Sequence, residues 1–246
     1  MGRELKTATG KSGGGAGPRP SDVRAMFGGI ARRYDLMNTI MTAGRHHRWR
    51  RLAVEAAGAR LQGTALDVCC GTGDLAFSLY DAVGPMGSVT AIDFSRRMLS
   101  VGRQKAREKG LPINFKWGDA TSLDFEDDSF DAATVGFGVR NIADIDAVFS
   151  EMTRVVRPGG RVVCLEITRP AGQPFKLFYG VWFDRVVSVL GRMVAGQGSA
   201  YSYLPESVKH FPEAPALAGI LRSAGLKDVS YRLLAGGIIA LHWGTA

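Results

Sequence analysis

Cysteine is scarce in this chain. Its 246 residues hold three, Cys69, Cys70 and Cys164, two of them adjacent. None has the paired spacing of a metal-ligand set, so no metal site is expected. All three fall in apolar runs that read as strands, where small buried fillers are the expectation. No apolar signal segment follows Met1, which points to a reducing, cytoplasmic setting. Met1-Gly2 opens like an acylation site, but Lys6 stands where that motif needs Ser or Thr. The apolar stretch LFYGVWFDRVVSVLGRMVAG is interrupted by Asp184, Arg185 and Arg192, which argues against a membrane-spanning helix. It reads as an amphipathic helix that packs on the domain or touches lipid. The chain has no internal repeats.

What is present is basic and apolar. Lys and Arg number 31 against 23 Asp and Glu, a net charge of +8. Such a surface suits an anionic partner, nucleic acid or acidic membrane, or is simply solvated. Hydrophobic residues make up 46% of the chain, enough for a full core. Residues 1–20, rich in Gly, Pro and basic side chains, read as a flexible tail. Ser21 then suits an N-cap, and Val23, Met26, Phe27, Ile30, Ala31 and Tyr34 follow at helical spacing. A second helix opens on the basic run RHHRWRR, an unfavourable charge for a helix N-terminus unless it starts later or the run serves a partner. The 21–60 segment is expected to form a helical lid.

From residue 64 short β-rich runs alternate with helical stretches: TALDVC, 74–83, SVTAID, 95–109, INFKW, DAATVGF, 144–156 and, after a Gly-turn at Pro158-Gly159-Gly160, RVVCLEI. That rhythm predicts a doubly wound α/β domain, Rossmann-like, with a mostly parallel sheet and helices on both faces. Residues 170–213 interrupt it and are expected to form a helical insertion over the substrate site. After a helix near 216–224, DVSYRLL and GIIALHW flank Ala235-Gly236-Gly237, the signature of an antiparallel C-terminal hairpin. Seven strands result.

The stretch LDVCCGTGDLA carries the chemistry. Gly71 and Gly73 lie between a strand and a helix, with Thr72 between them, in a G-x-G-x-x-A pattern. Asp93 ends the second strand, where a carboxylate can accept from ribose hydroxyls. A nicotinamide dinucleotide and S-adenosylmethionine both satisfy that much. Asp67, within the first strand, suits an ammonium and a sulfonium better than a pyrophosphate. Asp119, beside Ala120 after the third strand, can accept from an adenine amino group. These features together resemble class I S-adenosylmethionine-dependent methyltransferases.

Within that class, no D/N-P-P-aromatic motif of adenine methylation follows strand four, and no Pro-Cys motif of cytosine chemistry appears. Nor is there an acidic arginine-binding loop or a catechol-type metal set. Nucleic acid is therefore not expected as a partner. MFGGIARRYDLMN, GRHHRWR, GFGVRN, RPGGRVVCLEIT, YSYLPESVKHFP and GGIIALHWG resemble the ubiquinone/menaquinone-biosynthesis C-methyltransferases, from about residue 21 to the end. The resemblance implies cofactor contacts at Thr72, Asp93, Asp119 and Ala120. At Gly136 many members carry Ser, so a hydroxyl contact there is lost. It implies a prenylated quinol as substrate, demethylmenaquinol or a ubiquinone-pathway benzoquinol. Arg140, Asn141 and Tyr201 are the candidates for the chemistry, with Tyr203, Asp35 and the His46/His47 pair as alternatives for the proton path. Peripheral contact with an anionic membrane and a homo-oligomer are further expectations. Rivals from other classes are a nicotinamide oxidoreductase and a non-catalytic membrane-binding module.

Overall fold

The computed structural model describes Thr39, Thr42, residues 44–169 and residues 207–246. The expected tail, the helix from Ser21, the apolar stretch 177–194, Asp35, Tyr201 and Tyr203 lie outside the described residues.

Seven strands form one sheet: β1 (Thr64–Val68), β2 (Ser88–Asp93), β3 (Asn114–Trp117), β4 (Phe130–Gly136), β5 (Val156–Ile167), β6 (Lys227–Leu234) and β7 (Ile239–Thr245). Their order is β3-β2-β1-β4-β5-β7-β6. β1 to β5 run parallel, and β7 enters antiparallel between β5 and β6. Among the described residues five α-helices accompany them: α1 (His46–Ala57), α2 (Asp74–Val83), α3 (Arg96–Glu108), α4 (Ile145–Val155) and α5 (Ala214–Ser223).

Strand periodicity decides which face each side chain enters. Leu66, Ala133 and Cys164 point to one face, where Phe149 and Met152 of α4 and Leu217 and Leu221 of α5 cover them. Ala65 and Ala91 point to the other, under Ala76 and Leu79 of α2 and Leu99 of α3. On that same face α1 packs Trp49, Ala53 and Ala57 over Ala132, Val163 and Leu165. Residues 46–57 thus bury one face in the core. Each fully buried Leu or Phe in these layers contributes about 1.5–3 kcal/mol.

Local signals explain the element ends. The Ser95 hydroxyl accepts from the Met98 amide to start α3, and the Asp144 carboxylate accepts from Ala147 to start α4. α1 begins at His46 with no acidic residue in its first turn. One of its arginines, Arg50, is neutralised by Asp74 at the start of α2, with Nη1 and Oδ2 2.8 Å apart.

Two expectations are corrected. RPGG does not form a turn between helix and strand. β5 already begins at Val156, and its pairing with β4 skips between Phe130 and Ala132. Pro158 and the left-handed Gly159 cannot prolong α4, and the Gly159 amide donates to Ala246 instead. Cys69 and Cys70 lie beyond the end of β1, half-buried, with Cys69 at φ +55°. Only Cys164 is the fully buried strand filler expected of all three.

Candidate active site

Between β1 and β4 the strand order reverses, and a cleft opens at the carboxyl ends of the strands. A cavity of about 480 Å³ occupies it, a volume that suits a small-molecule ligand.

The loop after β1 supplies the floor. Gly73 stands at φ +86°, and a Cβ there would come within 2.7 Å of the Phe115 ring. Glycine lets α2 start against β3 and keeps the loop tight. Gly71 and Thr72 line the cavity, and Gly73 does not. Asp93 organises the same loop. Its Oδ2 accepts from the Gly71 amide at 2.8 Å and its Oδ1 from the Ser95 amide at 2.7 Å. Each oxygen keeps a second lone pair for a ligand hydroxyl. Burial raises the Asp93 pKa to about 6 despite the two amides.

Asp67 sits deeper. It pairs across the sheet with Thr134, whose hydroxyl donates to Oδ1 at 3.0 Å. Its Oδ2 is buried with no hydrogen-bond partner among the described residues, on a residue that lines the cavity. Burial lifts its pKa from 3.8 to about 7, while Thr134, Arg50 and the Ala76 amide favour the charged form. A buried carboxylate oxygen without a partner is costly, and a cationic ligand would relieve it.

Asp74 and Arg50 form the neighbouring wall. Burial works to raise the Asp74 pKa, but Arg50 and Lys105 outweigh it and hold the carboxyl below its usual range. At the far end Asp119 accepts from the Thr121 amide and hydroxyl at 2.9 and 2.8 Å, and Ala120 closes the wall. Trp117 lines this end, with its indole NH donating to Phe94 O at 3.0 Å and the Arg96 guanidinium 5.0 Å from its ring. Gly136 lines the opposite side, where a Cβ would stand 3.1 Å from Leu75.

Of the expected catalytic residues, Asn141 lines the cavity, and its Oδ1 is buried with no partner among the described residues. Arg140 does not line it. Its side chain is 6% exposed, with Nη1 donating to Phe137 O at 2.6 Å and to Glu166 Oε1 at 2.8 Å. Glu166, 1% exposed, also accepts from the Arg140 and Ile167 amides. The pair braces the bend after β4, where Phe137 holds φ +59°. His46 is buried and bonded to Thr42, ring nitrogen to hydroxyl at 2.7 Å. His242 is buried in β7 against Ala214 O, and burial lowers its pKa.

Sequence reading missed Arg50, Asp74, Thr134 and Glu166. Arg50 stood within the quoted basic run, but its inward face was the only clue. Glu166 was flagged by nothing except a charge inside an apolar strand, which a paired and hydrogen-bonded carboxylate explains.

Asp67, Asp93 and Asp119 line this one cleft. Fold and site together are those of a class I S-adenosylmethionine-dependent methyltransferase. Residues 17–246 match the model of the ubiE/COQ5 methyltransferase family, and the chain belongs to that family. A demethylmenaquinone methyltransferase of Bacillus pumilus is 44% identical over 90% of this chain and 95% of its own length. The enzyme of that name from Bacillus subtilis is 41% identical over 90% and 96%. A ubiquinone/menaquinone biosynthesis C-methyltransferase of Brucella abortus is 42% identical over 90% and 84%. Among solved structures, a SAM-dependent methyltransferase from Aquifex aeolicus superposes with a TM-score of 0.60 at 18% identity, over 85% of this chain and 96% of that one. A putative S-adenosyl-L-methionine-dependent methyltransferase from Methanococcus maripaludis gives 0.60 at 17%, over 96% and 97%. These two share the fold.

Proposed function

We propose that this chain transfers a methyl group from S-adenosylmethionine to a ring carbon of demethylmenaquinol. The observation that carries the reading is the 44% identity, over nearly the whole length of both chains, to an enzyme named for that substrate. The Brucella relative favours a second reading, in which a prenylated benzoquinol is also accepted.

When bound, the cofactor supplies a methyl carbon made electrophilic by the positive sulfur. The residues present suit it. Asp93 would hold the ribose hydroxyls, Asp119 and Ala120 the adenine, and Asp67 the cationic end. Apolar walls from Leu75, Phe137 and Leu165 exclude water, so that the reacting carbons are held close and fixed dipoles act at full strength. A quinol is nucleophilic at carbon once a hydroxyl proton has left, whereas the quinone ring is electron-poor. Asn141, whose buried Oδ1 has no partner among the described residues, would accept from such a hydroxyl and fix the ring's orientation. The ring proton displaced by methylation then passes to water or to a neighbouring side chain. Arg140 acts through the loop, braced by Glu166, and Tyr201 remains a candidate for the proton path.

Contact with the inner face of an anionic membrane belongs to this proposal, because the substrate carries a prenyl chain. Arg48 and Arg51 on α1 and Arg45 just before it are exposed and supply charge for it, while Arg50 faces inward. The test of substrate choice is methylation of a short-chain naphthoquinol beside the matching benzoquinol, anaerobically with reductant. A higher kcat/KM for the naphthoquinol supports the first reading. Equal values support dual use, and turnover of neither refutes the proposal.

A further inference from the structure

Arg50 has no place in the scheme above, yet it is buried at the cavity wall. We propose that Arg50 binds the α-carboxylate of the cofactor's methionine moiety, together with the first amides of α2. The proposal rests on S-adenosylmethionine as the ligand.

Among the described residues that line the cavity are five aspartates, at 67, 74, 93, 119 and 144, and one cation, Arg50. The ligand is not uniformly positive. Its amino-acid end carries an ammonium and a carboxylate on one carbon, and the carboxylate cannot lie against aspartates. Asp67 fixes the position of the ammonium and sulfonium, because its buried Oδ2 has no partner among the described residues. The carboxylate must then lie one bond away, on the side where the wall is positive.

Two features make it so. The side chain of Arg50 is 8% exposed and comes from α1, on the same face of the sheet as Asp67, near enough to favour its charge. The N-terminus of α2 opens at Gly73-Asp74 on that face, and its first amides have no partners within the helix. A guanidinium offers five N–H donors in a planar fork, and Asp74 engages Nη1 at 2.8 Å. Asp74, itself paired with Lys105, orients the fork without using all of it. An adjacent Asp67 and Arg50 form the complement of an α-amino acid and would be a poor complement of a pyrophosphate, which has no cationic end.

The test compares two ligands that differ in the amino acid alone. S-adenosylhomocysteine carries the carboxylate; 5′-methylthioadenosine keeps the adenosine and the sulfur and ends in a methyl group. Calorimetric titration of wild type and Arg50→Ala with both is expected to give a loss of about ten- to hundredfold for S-adenosylhomocysteine. The affinity for 5′-methylthioadenosine should stay within about twofold. Arg50→Lys keeps the ion pair with Asp74 but not the fork, and should give an intermediate loss confined to S-adenosylhomocysteine. Equal losses for both ligands, or none for either, overturn the assignment and leave Arg50 as a brace for Asp74. If Arg50→Ala fails to fold, Arg50→Lys decides alone: an unchanged ratio of the two affinities overturns the proposal. Failure of wild type to bind either ligand would instead refute the cofactor reading itself.

Discussion

Arg140 illustrates how a residue's environment sets what its substitution does. A guanidinium exposed at the reaction centre would be lost with little effect on folding. This one lies against Glu166, with both side chains almost fully buried. Removing one partner leaves an uncompensated buried charge, a loss of about 3–5 kcal/mol. Arg140→Ala should therefore lower the melting temperature strongly in a thermal melt, in addition to any loss of kcat. Arg140→Ala with Glu166→Gln together should recover much of the stability, because the stranded charge is gone. Should Arg140→Ala melt like wild type, the ion pair contributes nothing and a direct role at the substrate returns. Asp93 differs, since its two oxygens hold the Gly71 and Ser95 amides as well as facing the ligand. Asp93→Asn keeps the size but replaces one acceptor with a donor. Cofactor affinity should fall by about 1.5–3 kcal/mol in a calorimetric titration; unchanged affinity would remove Asp93 from the ribose site.

At the scale of elements, the turn from β1 to α2 depends on a residue without a side chain. Gly73→Ala would force a left-handed backbone on alanine and drive its Cβ into Phe115. A loss of about 2–4 kcal/mol is expected, measured by denaturant midpoint, and a second change, Phe115→Leu, should restore part of it by making room. No rescue would mean that backbone strain alone sets the cost. Elements were also the most legible part of the sequence. α2, β2 and α3 lie within a residue of their expected bounds, because periodicity and the Ser95 cap mark them. β7 was legible from its flanking glycines and its apolar pattern. RPGG was misread because Pro and Gly punctuate turns in most sequences, whereas here they form an irregular strand start held by the chain's last residue. The glycines, Asp67, Asp93 and Asp119 were readable in the site because they cluster near strand ends. Arg50 and Glu166 were not, since their roles depend on partners 24 and 26 residues away, Asp74 and Arg140, that only the fold brings near.

The molecule as a whole carries a pH signature. Asp67 and Asp93 have pKa values raised to about 7 and about 6 by burial. In the unfolded chain both return near 3.8, so between that pH and about 7 the folded state binds more protons than the unfolded state. Their contribution to stability is thus full at low pH and is lost as pH rises through the folded values. A cation beside Asp67 reverses the preference, because it stabilises the ionised carboxylate. The rise in melting temperature on adding S-adenosylmethionine should be larger at about pH 8 than at about pH 5.5. An equal rise at both would place no titrating carboxylate at the cationic end. Net charge of +8 acts at longer range. Flotation with anionic vesicles should exceed that with neutral ones and weaken as salt is added; equal flotation would reduce the charge to solvation.

Cofactor-dependent methylation at carbon of a reduced ring can be read out by isotope. The enzyme is incubated with S-adenosylmethionine labelled at its methyl carbon and a short-chain demethylated naphthoquinone, with and without dithionite, under argon. Label bonded to the ring carbon next to the prenyl-bearing carbon is expected in the reduced sample only, read by carbon NMR of the extracted product. Label on a ring oxygen, or equal labelling of the unreduced quinone, would contradict it.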